Sequence, residues 1–386
     1  MKCKIFLIHR NIDYLEAEAA ESREYIKGLA ACATEVIIVK IGAAEAPPAR
    51  EFKDVRVVSF PSERAFSRGL AAVVRNLQPD VAHIKALWTP AHAAAAKTLR
   101  RLGVPYVVEP GGHLNPYLLR NRFGGKMTGL LSIFKKAVWR GFVDLPMCRA
   151  ASGLRALSRW EAEQMRSLGL NHVVTLPLGV NSEWVLPRES KSVGTRAGGG
   201  PLTVGYLGRL DIIQKGLDLL LEAARLFKER AAFNVRCILA GPDLGGSAQT
   251  IRRSIEAAGL TNTTLLGPQM GEDKRKFLMG IDLFYHCSRL EEMAKLAREA
   301  VGAGVPVLAS AESNFGDWVQ EHHAGLMTKL DAGDIVKTIE ILLNYPNWLA
   351  KMRSNTLTFC EPFTWDNVAR QMMEFYAEIL RRRQPC

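Results

Sequence analysis

Residues 288–300 read Ser288-Arg289-Leu290-Glu291-Glu292-Met293-Ala294-Lys295-Leu296-Ala297-Arg298-Glu299-Ala300, and this stretch decides the fold. Ahead of it, the apolar run Ile281 to Tyr285 has the length and bulk of a buried strand. Behind it, an alanine-rich helix leads into Val305-Pro306-Val307-Leu308-Ala309-Ser310, a second buried strand. Strand, loop, helix and strand make one crossover unit of a parallel sheet. On one continuous helix Glu291 and Glu299 would stand roughly 80° apart around the axis. They converge more readily if Glu291 lies in the loop at the carboxyl end of the strand and Glu299 on the helix beyond it. That crevice is where open α/β sheets bind ligands, beside a helix N-terminus that favours anions. A stretch rich in Ala, Lys, Glu and Arg is equally the composition of a solvated helix face. The rest of the chain decides between the two.

The same alternation runs outward in both directions. In the second half, Leu202 to Gly208, Val235 to Ala240 and Thr263 to Leu266 read as strands, with a helix from Leu217. In the first half the expected strands are Cys3 to His9, Glu35 to Lys40, Val55 to Phe60, Asp80 to Lys85, Val104 to Glu109, Ala150 to Leu157 and Val173 to Leu176. Helices are expected over Tyr14 to Cys32, Arg64 to Asn76, Ala91 to Leu102 and Arg159 to Leu168. Strands alternating with helices of this length predict parallel sheets covered on both faces. The chain has 386 residues, more than one ordinary core supports. Its composition breaks at 188–200, a Ser, Lys, Thr, Arg and Gly run that reads as a flexible linker. The expected division is therefore a first α/β domain over 1–187, the linker, and a second over 201–365. A closing helix at 366–386 carries Val368, Met372, Phe375, Tyr376 and Ile379 as a packing stripe.

Near-half apolar content with 23% charged residues describes a folded, soluble protein. No apolar run reaches the ~18 residues of a membrane span, and Met1 to Arg10 holds too short an apolar core for a secretory signal. The seven cysteines are scattered and odd in number, which suits a reducing, cytoplasmic setting. The net charge of +12 is uneven: residues 1–185 hold 26 Lys+Arg against 16 Asp+Glu, and residues 186–386 hold 25 against 23. A basic first half points to an anionic partner. Nucleic acid is set aside for want of a recognition motif or an aromatic stacking platform. Within Arg120 to Phe142, Leu130, Phe134 and Val138 recur at helical spacing among Lys135, Lys136 and Arg140. Such a helix either lies in an anionic membrane interface or buries its apolar face in the first domain.

The second half sets its candidate groups at carboxyl ends of strands. Gly208, Arg209 and Lys215 follow one, Gly267 another, and Glu291 with Glu299 a third. Two cations beside a helix N-terminus form a receptor for a diphosphate, and a carboxylate can hold a ribose diol. Together they describe a site for a nucleotide sugar.

The ordered set Gly208-Arg209-Leu210-Asp211 with Lys215-Gly216, Leu265-Leu266-Gly267-Pro268, Ser288-x-x-Glu291-x-Met293 with Glu299, and Gly304-Val305-Pro306-Val307 resembles the family 4 retaining glycosyltransferases. These are the glycosyl transferases group 1 of the GT-B fold. The first half resembles it more loosely, at Asp80 to His83, Glu109 to Pro116 and Leu176 to Asn181, and Phe363-Thr364-Trp365 with Tyr376 resembles its closing helix. The resemblance implies two Rossmann-like domains facing each other across a cleft, with the last helix crossing back to the first. It implies that Arg209 and Lys215 hold the donor diphosphate, Glu291 the donor sugar and Glu299 the ribose. The backbone near Gly267 would meet the base, with Gly208 and Met293 also on the donor side, and His113 would face the sugar from the first domain. No metal is implied, and no cofactor beyond a UDP- or GDP-linked donor. The expected activity is retaining transfer of a hexosyl group to a lipid-linked saccharide in cell-surface polysaccharide (exopolysaccharide) synthesis. The expected place is the cytoplasm, peripherally on the inner face of its membrane. The chain departs from the pattern at Glu292, Ala294 and Lys295, and Gly111 stands where the family's histidine usually does. These departures keep open an alternative, a non-catalytic partner protein on the same scaffold.

Overall fold

The computed structural model describes residues 3–9, 19–42, 54–120, 129–185, 200–230, 234–243, 245–292 and 294–383. The loop Arg10 to Asp13, the basic residues Arg122 and Lys126, the run 188–199 and Met293 lie outside them. The chain divides into two compact units. Unit 1 holds residues up to Leu119, Gly129–Gly179 and the segment from Phe363 onward; unit 2 holds Val180–Pro362.

Unit 1 is built on seven strands: β1 (Lys4–His9), β2 (Glu35–Ile41), β3 (Val55–Phe60), β4 (Val81–Lys85), β5 (Tyr106–Glu109), β6 (Gly153–Ala156) and β7 (Val173–Thr175). All pair in parallel, in the order β3-β2-β1-β4-β5-β6-β7. The helices between them are α1 (Ala19–Cys32), α2 (Glu63–Leu77), α3 (Pro90–Arg101), α4 (Tyr117–Arg120), α5 (Leu130–Trp139), α6 (Leu145–Arg149) and α7 (Arg159–Ser167). Their starts follow local chemistry: the hydroxyls of Ser62, Thr89 and Ser158 accept from Ala65, His92 and Glu161 N–H, with Pro90 opening α3. The helix expected over Arg120 to Phe142 is α5 in its described part, and a π-turn, Arg140–Asp144, joins it to α6.

Unit 2 has six parallel strands: β8 (Leu202–Leu207), β9 (Val235–Ala240), β10 (Thr263–Leu266), β11 (Leu283–His286), β12 (Val307–Ser310) and β13 (Gly325–Thr328). Their order is β10-β9-β8-β11-β12-β13. Its helices are α8 (Leu217–Glu229), α9 (Ser247–Ala257), α10 (Gly271–Met279), α11 (Lys295–Gly302), α12 (Gly316–Glu321), α13 (Ala332–Asn344) and α14 (Pro346–Phe359). The last helix, α15 (Trp365–Arg381), belongs to unit 1 and buries Val368, Met372, Phe375, Tyr376 and Ile379, the residues of the sequence stripe.

Both sheets are doubly wound, so each reverses its strand order once, between β1 and β4 and between β8 and β11. Ligands of such sheets bind outside the carboxyl ends of the strands at that reversal. Both are Rossmann-like, and each unit has its own apolar core. Among the described residues no helix is long and apolar enough to cross a membrane.

Candidate functional site

In unit 2 the two segments singled out from the sequence flank the reversal point. The loop after β8 carries Gly208, Arg209 and Lys215; the loop after β11 carries Glu291. Gly208 sits at φ +152, and a Cβ on Gly241 would fall 1.7 Å from Gly208 O, so two backbones pass with no room for side chains. Tyr206 Oη donates to Arg209 O at 2.5 Å and fixes the start of the loop, leaving the Arg209 side chain exposed. Gly216, at φ +66, is the residue before α8, and a Cβ there would meet Cys287 O at 2.2 Å. Glycine thus lets α8 begin hard against the end of β11, and Lys215 stands at that helix N-terminus.

The two loops are stitched together. Arg289 N–H donates to Gln214 O at 2.8 Å, and the Arg289 guanidinium binds both oxygens of Asp218 at 2.7 Å. Asn314 Nδ2 donates to Glu291 O at 2.9 Å. These bonds bring the Lys215 ammonium to 2.5 Å from Glu291 Oε2, with both side chains largely covered. Burial alone would raise the Glu291 carboxyl. Lys215, His286 and the Glu292 N–H outweigh it and hold it at about 2. His286, at the end of β11, is buried and pushed down to about 4, so it is neutral beneath the pair. Ala294 opens α11 at φ +45, in the left-handed region that glycine adopts more readily than alanine.

Glu299 projects from α11 and is buried, with Oε2 2.9 Å from Lys274 Nζ on α10. Lys274 lies 4.2 Å from the centre of the Trp184 ring, and Arg275 packs on the same ring at 5.0 Å. Sequence reading missed Lys274, Trp184, His286 and Asn314, because nothing in their local pattern sets them apart. Gly267 lies just past β10, and its carbonyl accepts from Gly241 N–H at 3.2 Å. The structure therefore brings Arg209, Lys215 and Glu291 to one strand-order reversal, with Glu299 on the helix that follows.

His113 belongs to unit 1. It lies in the loop after β5, where Gly111 and Gly112 take φ +58 and +79. Its Nδ1 pairs with Pro110 O at 2.7 Å, and its ring meets Trp88 edge-on at 5.9 Å. Burial lowers its pKa, against the raising effects of Pro110 O and Asp144. Glu161, the third residue of α7, braces this loop: Oε1 accepts from Gly112 N–H and Oε2 from Leu157 N–H, both at 2.7 Å. Asp144, in the π-turn, accepts from Trp139 Nε1 at 3.1 Å, and burial pushes its carboxyl up to about 6.

Residues 187–358 match the family described as glycosyl transferases group 1, and residues 19–179 match the glycosyl transferase 4-like domain. The chain carries a group 1 glycosyltransferase domain behind a glycosyl transferase 4-like domain. A D-inositol 3-phosphate glycosyltransferase of Stackebrandtia nassauensis is 25% identical over 221 residues, 55% of this chain and 50% of that one. A GDP-mannose-dependent alpha-mannosyltransferase of Mycobacterium tuberculosis is 27% identical over 293 residues, 72% of this chain and 67% of that one. The chain thus spans half to two thirds of the length of these relatives. The structure of Anabaena HepE in complex with UDP superposes with TM-score 0.69 at 17% identity, over 98% of this chain and 100% of that one. That likeness places the chain in the GT-B architecture of two doubly wound domains.

Proposed function

We propose that the protein is a retaining, metal-independent glycosyltransferase that moves a sugar from a nucleotide diphosphate to a saccharide acceptor. The observation that carries this is the Lys215–Glu291 pair at the N-terminus of α8, beside Arg209 and outside the carboxyl ends of β8 and β11. A donor diphosphate takes Lys215 from Glu291, adds Arg209 and the helix terminus, and neutralises a cluster already poised for an anion. Glu291, freed from Lys215, accepts from a hydroxyl of the donor sugar. Glu299 holds the ribose, steadied by Lys274. In transfer the bond from the sugar to the diphosphate breaks, one to the acceptor oxygen forms, and the proton of the acceptor hydroxyl passes to the departing diphosphate oxygen. Arg209 and Lys215 bear the charge that collects on the departing diphosphate, and loss of either costs roughly 10²–10³-fold in rate. In unit 1, His113 is the histidine proposed to act on the sugar, and Pro110 O sets its tautomer. Two relatives supply the chemical range: one is named for GDP-mannose, and HepE was solved with UDP.

The acceptor is a lipid-linked saccharide presented at the cytoplasmic face of a membrane, in line with the basic first half of the chain. A second reading, a non-catalytic partner protein, is favoured by the internal closure of both carboxylates, Glu291 on Lys215 and Glu299 on Lys274. Calorimetry with UDP, GDP and their sugar conjugates separates the two. Micromolar binding of one nucleotide, lost in Arg209→Ala and Glu299→Ala, is expected of the enzyme. Silence toward every nucleotide would transfer the case to the partner reading.

A further inference from the structure

Helix α5 is turned inside out. Leu130, Phe134, Val138 and Leu131 fall within an arc of about 100° around its axis, and that arc faces solvent. Leu130 is 87% exposed, Leu131 68% and Phe134 66%, and Phe142 in the π-turn is 81% exposed. The opposite side faces the protein through polar atoms. Lys136 Nζ donates to Leu118 O at 2.7 Å and lies 5.4 Å from the centre of the Trp88 ring, and Trp139 Nε1 donates to Asp144. A helix on a folded domain ordinarily does the reverse, burying its apolar stripe and wetting its polar one. Here no residue of α5 is buried.

We infer that the outward face of α5 with the following π-turn is a membrane-docking surface whose partner is an anionic lipid bilayer. Charge chooses the lipid over a second copy of the chain. From Pro110 to Val143 the sequence has no Asp or Glu, and among the described residues Lys135 is exposed and borders the apolar arc, while Lys136 is turned inward and Arg140 is buried. A second copy would meet the same positive charge, whereas an anionic leaflet complements it while its acyl region takes the leucine and phenylalanine side chains. Apolar insertion and basic attraction are the two signals that together give stable surface binding. The assignment rests on the reading of an acceptor presented at a membrane, and it names the part of unit 1 that meets that membrane.

The test is co-sedimentation of the full chain with phosphatidylcholine vesicles, with and without phosphatidylglycerol. Native protein is expected to bind the anionic vesicles. Leu130→Ser, Phe134→Ser and Phe142→Ser are each expected to lower partition by about tenfold while leaving the melting temperature unchanged, since these side chains are already solvated. Lys135→Gln is expected to weaken binding and flatten its salt dependence. Absence of vesicle binding by the native chain, or equal binding by the triple serine variant, overturns the inference. So does a native dimer in ultracentrifugation that the triple variant abolishes without any lipid binding. Calorimetry with UDP and GDP on the same preparations keeps the two readings apart: lost nucleotide binding in native protein counts against the enzyme reading, and lost vesicle binding alone counts against this one.

Discussion

At the scale of single residues, the candidate site is a set of charges whose partners differ in how much they can spare. Arg209 is exposed, so Arg209→Ala is expected to leave stability within about 0.5 kcal/mol while abolishing the nucleotide binding proposed for this loop. Lys215→Ala strands the Glu291 carboxylate in a largely covered position and is expected to cost about 3 kcal/mol of unfolding free energy. Urea denaturation of the two variants checks this, and equal stabilities would dissolve the claimed asymmetry. Glu161 makes a second case. The spacing Ser158-x-x-Glu161 reads as a capping box, and Ser158 Oγ does accept from Glu161 N–H at 2.9 Å. The carboxylate, however, reaches Leu157 N–H and the Gly112 N–H of the His113 loop. In Glu161→Gln a single carbonyl oxygen faces two donors, so one N–H is left opposed to the amide, at a cost of about 1–3 kcal/mol. Equilibrium unfolding measures it, with Glu161→Ala as the larger loss; a Gln variant as stable as native protein would show that the brace is dispensable.

At the scale of elements, α15 shows what spacing can reveal. Its stripe was legible because apolar residues recur every three or four positions, and all five named residues are buried in unit 1. The polar bond it carries was not legible: Tyr376 Oη lies 2.6 Å from His83 Nδ1 on β4, a pairing across 293 residues. Tyr376→Phe keeps the packing and removes the partner of a buried imidazole, so a loss of about 1–3 kcal/mol is expected in urea; an unchanged midpoint would contradict it. The strands were readable for the same reason as the stripe, since runs such as Val235–Ala240 and Thr263–Leu266 are bounded by turn residues. Helix α5 marks the limit. Periodicity identifies an apolar arc but carries no sign, so Leu130, Phe134 and Val138 fitted a buried face as well as an exposed one. The inward bonds of Lys136 and Trp139 decide it, and neither residue type announces such a bond. In the site, Arg209, Lys215, Glu291 and Glu299 could be named because they follow strands in a fixed order. Lys274 reaches Glu299 from a helix of ordinary composition, a contact that only the fold creates.

At the scale of the whole molecule, the buried ionisable groups are divided unequally between the units, and acid should expose this. In unit 2, His286 is held at about 4, below its ordinary 6.5. The unfolded chain takes that proton first, so unit 2 loses stability as pH falls from 6.5 toward 4. In unit 1, burial lowers His83 to about 3 and lowers His113 as well, which acts in the same direction. Glu161, raised from 4.5 to about 7, and Asp144, raised from 3.8 to about 6, act oppositely. Their stabilisation is fully present below 4.5 and 3.8 and fades as pH rises through the raised values. Between 6.5 and 4.5 His83 and His113 are therefore offset by Glu161 and Asp144, whereas the unit 2 carboxyls with a shifted pKa, Glu222, Asp243, Glu291 and Asp334, are all lowered and do not offset His286 there. Below 4.5 both units weaken, as Glu109 and Glu291, each held at about 2, meet a proton the unfolded chain binds more readily. The expected outcome is a pH window in which unit 2 sheds on the order of 2 kcal/mol and unit 1 stays nearly level. Pulse hydrogen exchange along urea titrations reads the two units separately through their own peptides. His286→Phe is expected to flatten the unit 2 slope across that window. Parallel slopes in the two units, or a unit 2 slope unaltered by the phenylalanine, would refute this division of charge.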